Sequence, residues 1–244
     1  MRTLKNSLSS FMNKIQAGDT YFAGKQFSTY SEASYLVPTG AHRAVFGATV
    51  TTDNFRDTTA SVPGTAPCDY QYQTYGLFAQ DDWKPQENLT LQTGIRTDYQ
   101  QTDGWFVLPR FSALYKAGPH VALRAGGGYG YKAPTIFANA TEQQAYVGVR
   151  ALNPNTVRAE TSRGLNADVT LKGVTGNLDV VLNQAAFYTR QEHALVPNPA
   201  LQPLGIIKFA NSPLPVTARG LETNLRLNIE DLPFFTAYTF TDAR

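Results

Sequence analysis

The sequence predicts an all-β fold: an antiparallel up-and-down transmembrane β-barrel, present in part, with about eleven strands. Three observations predict it. From Leu89 to Gln100 the residues alternate completely, with Leu89, Leu91, Thr93, Ile95, Thr97 and Tyr99 on one face and Gln92, Arg96 and Asp98 on the other. Side chains on a strand point alternately to its two sides, so this segment separates an apolar environment from a wet one. The same pattern recurs along most of the chain. The connectors between alternating segments also sort by length, short at one end of the strands and long at the other.

Taken in order, strands are expected at Thr3–Ile15, Gly24–Val37, His42–Thr52, Gln71–Trp83, Leu89–Gln100, Trp105–Lys116, His120–Tyr131, Glu160–Leu171, Asn177–Arg190, Val216–Ile229 and Pro233–Ala243. In the eighth, Leu165, Ala167, Val169 and Leu171 alternate with Asn166, Asp168 and Thr170. In the tenth, Leu221, Thr223, Leu225, Leu227 and Ile229 alternate with Glu222, Asn224, Arg226 and Asn228. A polar face this persistent needs water. In the seventh, Val121, Leu123, Ala125, Tyr129 and Tyr131 oppose Arg124 and the run Gly126, Gly128 and Gly130. Glycine on an inner face leaves room for something packed in the lumen, or relieves crowding where the sheet twists strongly.

Pro38–Ala41, Lys84–Asn88, Ala117–Pro119, Lys172–Gly176 and Glu230–Leu232 read as tight turns. The alternate connectors Asp53–Tyr70, Lys132–Ala159 and Gln191–Pro215 are long and irregular, and only Gln101–Gly104 on that side is short. A soluble sandwich has no reason to segregate loop lengths by end, whereas a barrel with a periplasmic and an extracellular rim does. Aromatic residues collect near strand ends, with Trp83 and Tyr115 by the short turns and Tyr72, Tyr75, Tyr99, Trp105, Tyr131 and Tyr188 toward the long loops. Interfacial girdles explain that placement, and strand propensity alone also favours aromatics. Asp81 shares parity with Leu77, Ala79 and Trp83 and points toward lipid, near a turn where a carboxylate costs only about 0–1 kcal/mol.

Composition bounds the function. The chain has 244 residues, 42% hydrophobic and 16% charged, a globular composition with length for one large all-β domain or two smaller ones, and the recurring strand pattern is read as one domain over residues 1–244. No run of eighteen apolar residues exists, which excludes an ordinary transmembrane helix and leaves a barrel open. A net charge of +2 provides no basic stripe for nucleic acid. Cys68 is the lone cysteine, so intrachain disulfides and cysteine-rich metal sites are excluded. Met1–Gly18 carries Arg2, Lys5 and Lys14 without a continuous apolar core, so it is not a secretory signal.

Enzymatic chemistry finds no footing. His42, His120 and His193 are far apart, two by short turns and one in a long loop, and make no metal site. There is no GxSxG and no phosphate-binding loop, and Gly126–Gly130 is too compressed for a dinucleotide fingerprint, so no cofactor is expected. Adjacent Asp81 and Asp82 point to opposite faces and cannot act as a carboxylate pair. Asn88-Leu-Thr90 and Asn139-Ala-Thr141 match the glycosylation pattern by chance.

Tyr75-Gly-Leu-Phe-Ala-Gln-Asp-Asp-Trp-Lys-Pro85, with Asn88-Leu-Thr-Leu91 and Gly94-Ile-Arg-Thr-Asp98, resembles the barrel of TonB-dependent outer-membrane receptors. Pro109-Arg-Phe-Ser112, Gly130-Tyr-Lys-Ala-Pro-Thr135, Asn155–Ser162, Ala218-Arg-Gly-Leu-Glu222 and Tyr238–Ala243 continue the succession in order, over Gln71 to Ala243. The resemblance implies a bacterial outer-membrane receptor or transporter in contact with outer-membrane lipid. It further implies TonB-driven uptake of a scarce small-molecule ligand, a ferric siderophore first and cobalamin second. Family members resemble a 22-stranded barrel holding an N-terminal plug domain behind a TonB-engaging box; no plug-like segment or box is found in 1–244, so the chain is expected to be a fragment, inactive in transport alone. Within Lys132–Ala159, Phe137, Tyr146, Arg150 and Arg158 combine aromatic surface with positive charge suited to an anionic chelate and are the candidate ligand contacts. The alternatives are a surface adhesin or passive porin-like barrel, and a soluble carbohydrate-binding β-protein.

Overall fold

Backbone groups in hydrocarbon must be paired within the protein, and long alternating segments meet that demand by laddering with their neighbours in sequence. The computed structural model describes residues 1–18, 20–59, 65–230 and 232–244. Its strands are β1 (Arg2–Ala17), β2 (Thr20–Thr39), β3 (His42–Asp57), β4 (Tyr70–Gln86), β5 (Leu89–Gln100), β6 (Gly104–Lys116), β7 (Val121–Lys132), β8 (Glu160–Thr175), β9 (Leu178–Glu192), β10 (Leu195–Pro197), β11 (Phe209–Asn211), β12 (Val216–Ile229) and β13 (Leu232–Ala243). Eleven of them form one sheet in the order β1-β2-β3-β4-β5-β6-β7-β8-β9-β12-β13, every pairing antiparallel. This is the expected meander; the other sheet among the described residues is the two-stranded β10–β11, far too small to make a sandwich. The sheet is open, with β1 and β13 at its edges.

Several strands outrun their expected bounds. β2 extends to Thr20 and Thr39, β3 to Asp57 and β8 to Thr175, because a hairpin ladder satisfies its amides in water as well as in lipid. A second correction concerns the long-loop end: Ala17 pairs with Thr20, so β1 and β2 are joined there by a two-residue link and Gln101–Gly104 is not the only short one. The stretches read as irregular contain a β10–β11 hairpin, a short helix α1 (Asn139–Gln143) and a 3-10 turn (Gln202–Leu204). On the opposite rim, the ladder between β4 and β5 shifts register between Trp83 and Gln86, where Pro85 has no N–H to donate.

The sheet is curled. One cavity is bounded by Glu32 on β2 and Tyr129 on β7, which a flat sheet with strands about 4.8 Å apart would hold about 24 Å from each other. The concave face carries Arg96 and Asp98, directly opposite Phe78 and Gly76, while Ile95 and Leu77 are exposed on the convex face. Arg96 lies 2.7 Å from Asp98 and donates to Thr49 Oγ1 at 2.8 Å. A side chain at Gly76 would collide with all three of these groups, so the glycine makes space for the network. Glu222 and Arg226 share the concave face of β12, with Leu225 and Leu227 opposite them in alternation.

Asp81 has a partner that explains its outward position. His42 Nδ1 stands 2.6 Å from its carboxylate, and the imidazole stacks on Trp83 at 5.5 Å, so the pair sits at the short-turn rim under an interfacial indole. Asp82 turns the other way, accepting from Gln80 and Gln92. At the opposite rim, Tyr75, Tyr99 and Trp105 form a continuous outward row across β4, β5 and β6. Tyr72 and Tyr131 leave the expected girdle. Pairing of β6 with β7 ends at Arg110 and Gly128, next to Pro109, and through the gap above it Tyr131 turns inward, stacking on Phe106 at 3.8 Å and donating to Asp98. The glycine run of β7 is crowded: a side chain at Gly126 would stand 3.0 Å from the Phe111 carbonyl, and one at Gly128 would stand 3.1 Å from that of Pro109.

Candidate functional site

The inner face at the long-loop end is apolar where the rest of it is polar. Ile15, Phe22 and Phe55 reach it from β1, β2 and β3, and an apolar wall there would be wet unless something covered it. The loops supply the cover. Ile136, Tyr146 and Val149 from residues 133–159, Ile207 from 193–215 and Phe209 of β11 pack against it, and Ile136 and Ile207 are each only 1% exposed.

Backbone pairing ties the two long loops into one cap. Val149 bridges Ile207 in parallel, with Arg150 N donating to Ile207 O and Ile207 N to Gly148 O, both at 2.9 Å. Gly148 has φ +72°, and a side chain there would run into the Gly205 carbonyl, so only glycine permits this crossing. Asn211 clamps the exit of the first loop, accepting from Arg158 N at 2.7 Å and donating to the carbonyls of Arg158 and His193. The cap is fastened to the sheet by Tyr72, whose hydroxyl donates to Pro134 O at 2.6 Å, and by Asp103, which accepts from Ala159 N at 3.0 Å. Burial raises the Asp103 carboxyl above the usual carboxylate range, with the Ala159 N–H pulling in the other direction.

Between cap and wall lies a cleft of 250 Å³, lined by Cys68, Tyr70, Tyr72, Pro134, Leu152 and Val157 among others. Burial, followed by the negative charge of Asp57, pushes the Cys68 thiol up to about 12, so it is protonated at neutral pH. No group of three or more metal-ligating side chains occurs among the described residues. The cleft offers the phenol rings of Tyr70 and Tyr72, the Gln71 amide and the Asp69 carboxylate.

The four candidate contacts divide into two pairs. Tyr146 is 6% exposed and stacks on Phe22 at 4.5 Å, and Phe137, half-buried, meets Phe55 edge-on at 4.9 Å. These two lie together, ring centroids 5.9 Å apart, in the floor of the cap. Arg150, half-exposed, and Arg158, exposed, carry their charge at the cap surface. Sequence reasoning missed Tyr70 and Tyr72, which the alternation places on one face at the start of β4, and Asn211, whose clamping role no local pattern announces.

A curled antiparallel meander with an apolar convex face, a polar concave face and a loop-capped mouth is a transmembrane barrel wall of the receptor type. A profile of the TonB dependent receptor-like β-barrel matches residues 3–244, and the chain belongs to that family. The family is one of outer-membrane receptors and transporters. No curated protein matches the chain by sequence. Among solved structures, the siderophore receptor PirA from Pseudomonas aeruginosa superposes with a TM-score of 0.72 at 18% identity, covering 99% of this chain and 48% of that one. A ferric enterobactin receptor (PfeA) mutant from Pseudomonas aeruginosa gives 0.69 at 18% identity, covering 98% and 40%. The FrpB iron transporter from Neisseria meningitidis gives 0.72 at 11% identity, covering 99% and 42%. The chain thus spans less than half the length of these receptors, and at such identities the likeness is one of fold.

Proposed function

We propose that this chain forms the wall and mouth of a receptor that takes up an anionic ferric siderophore across the outer membrane with TonB as its energy source, cobalamin being the second ligand class. The observation that carries the reading is the mouth. Two long loops are built into one cap over a 250 Å³ cleft, with Arg150 and Arg158 at its surface and phenol rings within. Guanidinium groups suit carboxylate and catecholate oxygens, and aromatic walls suit planar chelating rings. The siderophore receptor, ferric enterobactin receptor and iron transporter that share this fold add support.

The test is uptake of radiolabelled ferric enterobactin, and separately of cobalamin, by cells whose other receptors for these ligands are deleted and which express the gene carrying this barrel. Iron uptake that requires functional TonB, and that falls when Arg150 and Arg158 are both changed to Ala, is the expected result. Uptake of both ligands indifferent to TonB would instead describe a passive pore.

A further inference from the structure

On the outward face the apolar band of β8–β13 ends, toward the long loops, at a set of arginines. Residues two apart on a strand point the same way, so Arg163 follows the exposed Leu165 of β8, Arg190 follows Tyr188 of β9, and Arg219 follows Leu221 of β12. Arg163 stands directly opposite Arg190, and Arg190 opposite Thr217. Thr217 in turn exchanges both backbone hydrogen bonds with Arg244, just past β13. Four guanidinium groups therefore cross four neighbouring strands, a span of about 14 Å at about 4.8 Å per strand.

Such a set is unfavourable unless something answers it, because like charges directly opposite each other on adjacent strands repel. Glu192 binds Arg190 at 2.7 Å, and Asp242 binds Arg219 at 3.0 Å and Arg244 at 3.1 Å. Two carboxylates thus serve four arginines. Arg163, exposed, has no carboxylate partner among the described residues. The surplus charge is positive, at the edge of the lipid-facing band, where headgroup phosphates lie and where guanidinium forks match phosphate oxygens.

Deeper on the same face is an apolar recess. Ala113, Ala125, Ala167 and Ala186 stand opposite one another in unbroken succession across β6–β9. Their short side chains leave a hollow of 510 Å³, walled toward the short turns by Tyr115 and Leu123. Ala167 is four residues from Arg163, about 13 Å along β8. An acyl chain laid in the recess gains van der Waals contact while its headgroup reaches the arginines.

We propose that the outward face of β6–β13 at the long-loop end holds one phosphate-bearing lipid of the outer leaflet, with its headgroup on Arg163, Arg190 and Arg219 and an acyl chain along the alanine recess. The site rests on this face meeting lipid and not on the uptake reading. The test uses the full-length receptor carrying this barrel, delipidated in detergent micelles and titrated with bisphosphorylated lipid A under native mass spectrometry. Wild type should bind it about tenfold or more tighter than the dephosphorylated lipid. Arg163→Gln, which breaks no ion pair, should weaken binding about tenfold, and Arg163→Lys should weaken it less. Ala167→Phe, which fills the recess, should also weaken binding, with Tm unchanged. Arg2→Gln, at the opposite rim on β1, should bind as wild type. Equal binding of the two lipid forms, or undiminished binding in Arg163→Gln or in Ala167→Phe, would overturn the proposal. So would displacement of the lipid by excess inorganic pyrophosphate, which would assign the arginines to a free anion.

Discussion

Replacing Tyr146 by Ala separates two roles for this residue. As a ligand contact it would lose affinity and leave the loops alone; as the structure places it, it holds the cap down. Its ring is 6% exposed and stacked on Phe22, with Phe137 edge-on behind it. Truncating a buried aromatic to Ala costs about 3–5 kcal/mol, and because the cap can lift without unfolding the sheet, that cost falls on cap opening. At about 1.4 kcal/mol per tenfold, the open population should rise about a hundredfold to a few thousandfold. The reporters are the amides of Arg150 and Ile207, which bond across the two loops, followed by hydrogen exchange. Their protection should collapse in Tyr146→Ala and survive in Tyr146→Phe, while strand amides in β5 keep theirs. Unchanged exchange at Arg150 and Ile207 in the Ala variant would refute the reasoning.

Two further predictions concern the same mouth. Burial raises the Asp103 carboxyl, so its protonated form favours the closed cap; its contribution is present below the ordinary carboxylate pKa of about 3.9 and lost as pH rises through the raised folded value. The protection of Ala159 N–H against exchange should fall over that window in wild type and not in Asp103→Asn, and identical protection profiles would contradict it. Cys68, its thiol raised to about 12 by burial, should resist iodoacetamide at pH 8 in the folded protein, and Tyr146→Ala should speed its alkylation. Rapid labelling of wild type would show that the cap does not cover it.

What was legible in the sequence was set by local periodicity. The parity of Leu89, Leu91 and Ile95 against Arg96 and Asp98 is a property of one strand, and neighbours in sequence pair in the sheet, so faces and topology followed without knowledge of distant contacts. The Tyr131 side chain turned inward because Pro109, on the adjacent strand and 22 residues earlier, stands where the β6–β7 ladder ends and leaves a gap beside it. Asp81 could not be explained alone because its partner His42 lies 39 residues earlier. The cap was the least legible part: β10 and β11 are three residues each, too short for an alternation, and Tyr146 and Phe137 look the same in sequence whether they face a ligand or a core. Arg150 and Arg158 stayed at the surface because a guanidinium is costly to bury without a partner.

The central claim is that one face of this sheet meets lipid and the other a wet lumen. Spin labels placed singly at residues 91–98 of β5, in a Cys68→Ser background and in bilayers, test it most directly through their accessibility to oxygen and to a water-soluble nickel complex. The account predicts a period of two, with 91, 93, 95 and 97 open to oxygen and 92, 94, 96 and 98 shielded from it. The same oxygen accessibility at 95 and 96, or the opposite phase with Arg96 in hydrocarbon at a cost of about 2–4 kcal/mol, would contradict it.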